Sequence, residues 1–182
     1  MTPEEATAAL ARAERLYDQT QIEMALDRMA AQISGDMECA NPVTLCVMNG
    51  GLIIAGHLFT RLNFPMQIDY LHVTRYRSQL SGGELVWNRK PNLALKGRAV
   101  LVIDDILDEG HTLAAILEYC RTQAAERVAA AVLVDKRHAR KHPGAHADYL
   151  GLCVDDRYVF GFGMDYRGYL RNLPAIYAAA ER

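Results

Sequence analysis

One stretch of the sequence, VLVIDDILDEGHTL from Val100 to Leu113, decides the fold class. It begins with an apolar run that is typical of a strand buried on both faces. Two adjacent carboxylates follow at Asp104 and Asp105, and a third comes at Asp108. A glycine turn then leads into a segment with helical character. A strand, an acidic turn and a helix in this order are typical of an α/β domain.

Apolar runs on both sides of this stretch extend the pattern. The β-prone run Val43–Met48 precedes it and stops at Asn49-Gly50-Gly51, and the buried run Val128–Val134 follows it. Further segments predict helices at 52–62 and 112–123 and strands at 67–73, 99–103, 149–154 and 158–162. The alternation indicates an α/β fold with a mostly parallel central sheet flanked by helices. In such sheets the ligand site lies at the carboxyl ends of the strands.

Helical signals open the chain. Thr2 and Glu5 form a capping box around Pro3, and a second box is predicted from Thr20 to Glu23. The second box leads into an apolar stripe with helical spacing, made of Ile22, Leu26, Met29 and Ile33. We therefore expect two helices, or one kinked helical arm, before the first strand of the sheet.

A polar segment interrupts the alternation over about 75–96. It contains Ser81-Gly82-Gly83 and shows little periodicity except around Trp87. Long segments without secondary structure in compact domains are usually functional or disordered. The sequence therefore predicts a long mobile loop at this point.

Composition limits the classes of protein to consider. The chain has 182 residues, of which 51% are hydrophobic and 23% charged, and its net charge is −2. These values favour one soluble domain over 1–182 and argue against a disordered chain or a basic nucleic-acid binder. No apolar run approaches the roughly 20 residues of a membrane span. The four cysteines show no CxxC spacing, so we expect reduced thiols in a cytoplasmic protein.

The acidic stretch itself points to a sugar phosphate. Backbone N–H groups at the turn and helix N-terminus can seat a phosphate, and Thr112 can add a hydroxyl. The carboxylates beside that seat suit hydroxyl groups or Mg²⁺. Two other interpretations stay open: a plain acidic turn in which Asp108 or Glu109 caps the helix, and the acidic pair of a phosphorelay receiver. The receiver interpretation fits less well, because the acidic pair of a receiver lies near the start of its domain, whereas about a hundred residues precede this pair. No later strand clearly supplies a phosphoacceptor Asp.

The stretch resembles the phosphoribosyl-pyrophosphate (PRPP) signature of type I phosphoribosyltransferases. That pattern is four apolar residues, two acids, two apolar residues, Asp, a small residue or Thr, Gly, any residue and Thr, and this chain departs from it at one position. Three further blocks resemble the hypoxanthine-guanine branch in family order, over roughly residues 10–178. They are residues 48–51 (MNGG), 134–137 (VDKR), and 155–166 together with 169–174 (DDRYVFGFGMDY and YLRNLP).

The resemblance implies the type I phosphoribosyltransferase fold, with a flexible catalytic loop at about 75–96. A small hood would come mainly from about 149–182, with N-terminal contributions. It also implies a purine salvage enzyme that joins hypoxanthine or guanine to PRPP and gives IMP or GMP and pyrophosphate. Mg²⁺ would be the cofactor, the small molecules PRPP and a 6-oxopurine the partners, and a homodimer or homotetramer the assembly. No nucleic-acid or membrane partner is expected.

The resemblance also assigns roles around the sugar. Asp108 would be the catalytic residue, as general base or acid at the purine N7. Asp104 and Asp105 would hold the ribose hydroxyls, directly or through Mg²⁺. The seat of the 5′-phosphate would be formed by Glu109, Gly110, His111, Thr112 and Leu113. The pyrophosphate would be bound by Asn49, Gly50 and Arg171, the last of which offers a guanidinium fork.

For the purine, the resemblance implies that Lys136 donates to O6 and so selects against adenine. Tyr158 would stack on the base, the Val159 backbone would contact its N1 and C2 edge, and Asp165 would lie near the base and ligate a second Mg²⁺. Arg75 and Tyr76 would belong to the catalytic loop. The basic residues that follow Lys136, over 137–142, are expected to be solvated surface.

Three positions depart from the family pattern. Asn49 replaces a residue that is often basic, Arg75 replaces the loop serine, and Glu109 stands at the turn where Thr or Ser is usual. A carboxylate beside a phosphate seat repels the ligand, so an altered PRPP affinity is expected. The departures at Glu109 and Arg75 keep open a PRPP-sensing transcriptional regulator of the same fold. A xanthine-preferring transferase also stays open, because recognition of the C2 edge depends largely on backbone and hood geometry.

Overall fold

The computed structural model describes residues 1–76 and 84–180. Within them the chain forms two sheets and a set of covering helices. The helices are α1 (Pro3–Ala11), α2 (Gln19–Met37), α3 (Gly51–Phe59) and α4 (His111–Thr122). The strands are β1 (Glu14–Tyr17), β2 (Val43–Met48), β3 (Gln67–Tyr76), β4 (Glu84–Arg89), β5 (Ala99–Leu107), β6 (Arg127–Arg137), β7 (Tyr149–Asp155), β8 (Val159–Phe160) and β9 (Ile176–Ala178).

A six-stranded sheet in the order β4-β3-β2-β5-β6-β7 forms the centre. All neighbouring pairs from β3 to β7 are parallel, and β4 is an antiparallel edge strand. The predicted mostly parallel α/β fold is confirmed. In the middle of the sheet Ile103 pairs with Cys46 on one side and Ala131 on the other. The carboxyl ends of β2, β5 and β6 therefore meet at one edge of the sheet.

Both faces of β5 are covered, as its apolar run predicts. Leu101 and Ile103 pack in a cluster with residues of α2 and α3, whereas Val100 and Val102 pack with residues of α4. The strand runs past the predicted end at Ile103 because its pairing with β6 continues to Leu107. The two adjacent aspartates consequently lie inside the strand rather than in a turn after it.

The N-terminal helices are capped in two ways. The capping box of Thr2 and Glu5 is confirmed. The box predicted at Thr20 is wrong, because Asp18 caps α2 and exchanges hydrogen bonds with Gln21. The apolar stripe behind it is fully buried, as predicted. No helix within 1–76 and 84–180 has the length and apolar character that a membrane crossing requires.

A second, three-stranded sheet has the order β1-β9-β8. It joins the segment between the two N-terminal helices to residues near the other end of the chain, and both of its outer pairings are antiparallel. β1 and β9 were not predicted from the sequence. The hood is expected mainly over about 149–182, and within that range β7 belongs to the large sheet whereas β8 and β9 belong to the small one.

The loop predicted over 75–96 is partly a strand. β3 continues to Tyr76, and β4 returns beside it with Leu85 paired to Arg75. The Trp87 ring packs on Tyr119 of α4 with centroids 4.6 Å apart, which ties β4 to the domain. Residues 77–83 of the predicted loop lie outside the described residues.

Candidate functional site

A cavity of about 720 Å³ opens where β2, β5 and β6 end. It brings together most of the predicted site residues. They are Asn49, Gly50, Asp104, Asp105, Asp108, Glu109, Gly110, His111, Thr112, Leu113, Lys136, Asp165 and Arg171. Tyr158 and Val159 are not among its lining residues. Arg75 and Tyr76 lie at the end of β3, and their side chains are outside the described part of the chain.

Asp104 and Asp105 form a buried acidic pair at the floor of the cavity. Each residue is only 9% exposed. Burial, followed by the charge of Asp105, raises the pKa of Asp104, and burial also raises the pKa of Asp105. The nearest cation given by the described ion pairs is Arg171, whose Nη1 lies 3.8 Å from Asp105 Oδ2. The pair is therefore short of positive charge.

Two glycines allow the chain to approach this pair. A Cβ on Gly50, just before α3, would lie 2.0 Å from Asp105 Oδ2. A Cβ on Gly163, in the segment between β8 and β9, would lie 2.4 Å from the Gly50 carbonyl oxygen. Side chains at these positions would clash, so the loop after β2, the acidic pair and the segment after β8 can meet only through glycine backbone.

The start of α4 is the segment for which the sequence predicts a phosphate seat. Gly110 is the N-cap with φ of 77°, a left-handed conformation that favours glycine, and a Cβ there would lie 2.3 Å from the Ala145 Cβ. The N-cap is therefore Gly110 and neither Asp108 nor Glu109, the residues that the alternative interpretation placed there. The first N–H groups of α4 lack intrahelical partners and can accept an anion.

Glu109, which stands where the family pattern has Thr or Ser, lies close to two histidines. Its carboxylate lies 3.8 Å from His111 Nε2, and its backbone oxygen accepts a hydrogen bond from the His142 N–H at 2.7 Å. The rings of His111 and His142 are in edge contact, with centroids 5.1 Å apart. An acid and an imidazole thus stand together at the phosphate seat, and protonation of His111 would offset the negative charge.

Asp108 is in an electrostatic environment opposite to that of the buried pair. Lys136 Nζ donates to its Oδ2 at 2.6 Å, and His138 Nε2 lies 2.7 Å from its Oδ1. Burial alone would raise the pKa of Asp108, but the hydrogen bonds and charges of Lys136 and His138 outweigh burial and lower it. Asp108 therefore compensates the charge of Lys136, which needs a partner because it is buried at the end of an apolar strand. This carboxylate is held in its ionised form.

Arg171 is oriented before any ligand binds. Its Nη2 donates to Asp165 Oδ1 at 2.6 Å, and its Nη1 donates to the Gly163 carbonyl at 2.6 Å. Asp165 Oδ2 in turn accepts the Gly168 N–H at 2.8 Å. A guanidinium fixed on two sides can present its remaining donors to phosphate oxygens at the cavity.

Tyr158 and Val159 stand apart from the cavity floor. Tyr158 is 52% exposed, its hydroxyl donates to the Asp165 carbonyl at 3.3 Å, and its ring meets Tyr166 edge-on. Val159 is buried and pairs with Ala178 in the small sheet. Their roles at the purine stay predictions, and the exposed ring of Tyr158 is available for stacking.

The sequence analysis missed His138. It lies in the basic run 137–142, which was expected to be solvated, but only 3% of its side chain is exposed. Lys141 in the same run pairs with Asp135. The expectation is therefore wrong for His138, whereas 28% of the Lys141 side chain is exposed. Nothing in the local pattern distinguishes His138 from its neighbours, because its burial depends on how the chain after β6 folds back over the end of β5.

Known proteins are similar to this chain over most of its length. The model of the phosphoribosyl transferase domain matches residues 12–167. The hypoxanthine-guanine-xanthine phosphoribosyltransferase of Tritrichomonas foetus is 32% identical over 161 residues, 88% of each chain. The hypoxanthine-guanine phosphoribosyltransferase of Bacillus subtilis is 30% identical over 162 residues, 88% of this chain and 89% of that one.

Structural similarity extends the match. A crystal structure of the hypoxanthine phosphoribosyltransferase of Staphylococcus aureus superposes with a TM-score of 0.86 and 27% identity. The superposition covers 92% of this chain and 91% of the other. The family model, the relatives and the fold all indicate the same family. The chain belongs to the phosphoribosyltransferase family, among the hypoxanthine-guanine phosphoribosyltransferases.

Proposed function

We propose that the protein is a purine salvage transferase that joins hypoxanthine or guanine to PRPP and releases pyrophosphate. The observation that carries the proposal is the meeting of three features in one cavity. These are the buried acidic pair, the phosphate seat at Gly110 and the ionised Asp108 next to Lys136. The names of the relatives favour a transferase over the PRPP-sensing regulator.

When the base attacks C1′ of the ribose it loses a proton, so the protein must supply a group that accepts this proton. Asp108 supports this role, because its lowered pKa keeps it ionised and able to take the N7 proton as the glycosidic bond forms. The same charge stabilises a cation-like sugar in the transition state. Lys136 would turn from Asp108 towards the purine O6, where its ammonium donates and an adenine amino group would repel it.

The two anionic ends of PRPP would lie at opposite walls of the cavity. The first turn of α4 would hold the 5′-phosphate, and the backbone at Asn49 and Gly50 with the guanidinium of Arg171 would hold the pyrophosphate. Asp104 and Asp105 would accept hydrogen bonds from the ribose hydroxyls between them. These contacts position the reacting carbon, which is the main contribution a protein makes to such a transfer.

The acidic residues also fit Mg²⁺. Asp104 and Asp105 are buried carboxylates with raised pKa values and one distant guanidinium, so a hard cation would relieve their repulsion. Asp165, at the mouth of the same cavity, offers a further carboxylate. Mg²⁺ bound there would neutralise charge on the pyrophosphate leaving group.

The remaining expectations concern the cell and the assembly. We propose a cytoplasmic enzyme, which the free thiols of all four cysteines support. We also propose a homodimer or homotetramer. Exposed apolar side chains at Leu52, Ile68 and Tyr70 support a contact surface between subunits. Light scattering in solution measures the assembly directly.

A panel of bases tests the proposal. The purified protein is mixed with PRPP, Mg²⁺ and either hypoxanthine, guanine, xanthine or adenine, and nucleotide formation is followed by absorbance. Turnover is expected with hypoxanthine or guanine and not with adenine. Xanthine is included because the relative from Tritrichomonas foetus carries it in its name. A rate with xanthine above those with hypoxanthine and guanine would make the protein a xanthine-preferring transferase.

Silence with all four bases contradicts the transferase. PRPP binding without turnover, measured by calorimetry, would then favour the regulator. A salt-dependent shift with purine-operon DNA or leader RNA would support that alternative, because phosphate contacts weaken as salt rises. The His146→Ala variant, in which an exposed imidazole outside the cavity is removed, is the control for protein quality.

A further inference from the structure

His138 makes two directional contacts that fix its chemical form. Its Nδ1 accepts the backbone N–H of Arg140 at 3.1 Å, so Nδ1 carries a lone pair. The other ring nitrogen, Nε2, therefore bears the hydrogen and donates to Asp108 Oδ1 at 2.7 Å.

The two donors on Asp108 differ in how firmly they are held. Each takes one oxygen of the carboxylate, Lys136 at Oδ2 and His138 at Oδ1. Lys136 ends in a rotatable four-carbon chain, which can swing to another acceptor. The His138 ring has almost no exposed area and is held at both nitrogens. Asp108 itself is 43% exposed towards the cavity.

We propose that His138 is a positioning residue for the transfer reaction: it holds Asp108 by Oδ1 and so presents Oδ2 to the base when Lys136 leaves for the purine oxygen. The inference rests on the proposed function. It adds that the release of Lys136 leaves Asp108 with one oxygen free and the other still fixed. A carboxylate held at one oxygen cannot rotate away from the reacting base.

Other charges around Asp108 do not change this assignment. They are Lys136 from β6, Glu109 on its own segment, and Arg140 and Asp156, which pair with each other at 2.8 Å. Ligand atoms of Asp108, His138 and Asp156 lie within 4.8 Å of one another, a spacing compatible with a metal ion. Lys136 and Arg140 already neutralise the two carboxylates, so a cation there would meet two positive charges.

A matched pair of amide variants tests the proposal. The side-chain amide of Gln reaches about as far as Nε2 of histidine, whereas that of Asn reaches about as far as Nδ1. His138→Gln can therefore still donate to Asp108, and His138→Asn can only replace the Arg140 contact. We expect kcat to fall about 10- to 100-fold in His138→Asn and in His138→Leu, the loss typical of one hydrogen bond to a charged group. His138→Gln should recover most of that loss.

The pH profile separates positioning from a structural role. Removal of a donor raises the pKa of Asp108, so the acid limb of the kcat profile should move to higher pH in His138→Asn and stay near the parent in His138→Gln. KM for PRPP should not change. Equal losses in both amide variants at every pH, with an unmoved acid limb, would overturn the proposal. Thermal unfolding of each variant shows whether it folds, and His146→Ala is the surface histidine control.

A measurement without substrate distinguishes the two proposals. Carbon-13 NMR of protein labelled at aspartate follows the Asp108 carboxyl, which Asp108→Asn assigns. The Asp108 pKa should be higher in His138→Asn than in the parent or His138→Gln. If the parent turns over but this pKa is the same in all three, the role of His138 is wrong and the function stands. If the parent is silent with every base, the proposed function fails, and the role in the transfer falls with it.

Discussion

Asp104–Asp105 and Asp108 lie on one short stretch of chain but in opposite electrostatic environments. The pair is buried within β5, has one distant cation, and has pKa values raised by burial. Asp108 lies just beyond the strand, is half-exposed, and has two close donors and a lowered pKa. The same residue type is thus used in two ways. Asp104 and Asp105 have little positive charge near them in the protein and can bind a cation, whereas the charge of Asp108 is already compensated by its protein partners.

The largest loss of activity should come from removing the charge of Asp108. Asp108→Asn should lower kcat by about 100- to 10,000-fold, because an amide cannot take the N7 proton and general base catalysis contributes about that much. Steady-state rates with hypoxanthine measure the loss. Asp27→Asn, on α2 and outside the cavity, is the matched control. A rate within a factor of two of the parent would remove Asp108 from the mechanism.

A smaller loss of activity, in different kinetic parameters, should follow from a substitution that displaces Asp105. Gly50→Ala places a Cβ 2.0 Å from Asp105 Oδ2, so the carboxylate or the loop must shift by about an ångström or more. We expect about a 100-fold loss in kcat/KM, the cost of such a displacement. The loss should appear mainly in KM for PRPP and in the Mg²⁺ requirement, whereas that of Asp108→Asn appears in kcat.

Gly56→Ala is the control for this substitution, because nothing lies within 4 Å of a Cβ there. Gly56 is an interior position of α3, where alanine should stabilise the protein by about 0.5–1 kcal/mol. Full activity in Gly50→Ala would show that the contact between the loop and the acidic pair is dispensable.

The smallest effects concern stability without divalent cations, and they should have opposite signs. Because its folded-state pKa is raised, Asp104 begins to destabilise the fold as soon as pH exceeds its lower unfolded-state pKa, and the effect is complete above the folded-state pKa. Asp104→Asn should therefore raise Tm at pH 7.5, by about 2–4 °C if 1 kcal/mol is recovered. Asp108→Asn should lower Tm, because Lys136 and His138 lose an ionised acceptor.

Differential scanning calorimetry with EDTA measures both variants against the parent. The stabilisation due to Asp108 should be present above its ordinary pKa and disappear as pH falls through its lowered folded-state pKa. The destabilisation due to Asp104 should fade as pH falls through its raised one. Shifts of the same sign in the two variants at pH 7.5 would break the contrast between the pair and Asp108.

The burial of Asp104 and Asp105 could be predicted from the sequence, whereas the end of their strand and several short strands could not. The apolar run before Asp104 predicts a buried strand, and burial on both faces of a parallel sheet is a local property that a continuous run reveals. The end of that strand is not local, since β5 continues to Leu107 only because β6 runs beside it. The same limit hid β1 and β9, short strands whose pairing spans most of the chain.

Caps and turns show a similar division. The box at Thr2 was predictable because all of its partners lie within one helical turn. At α2 two polar residues two positions apart competed for the same role, and Asp18 rather than Thr20 is the cap. His138 was out of reach, since the sequence around it is basic and its burial depends on the chain that returns towards Asp108.

The small sheet has a consequence for the order in which the molecule assembles. β2 to β7 form the large sheet from one continuous part of the chain, whereas β9, the middle strand of the small sheet, must find β1 across almost the whole sequence. Contacts between such distant segments form slowly, because closing the loop costs entropy before the contact is made. Asp165 and Arg171 lie between β8 and β9. The acidic floor can therefore take shape first, and the guanidinium that faces it arrives with the last strand to pair.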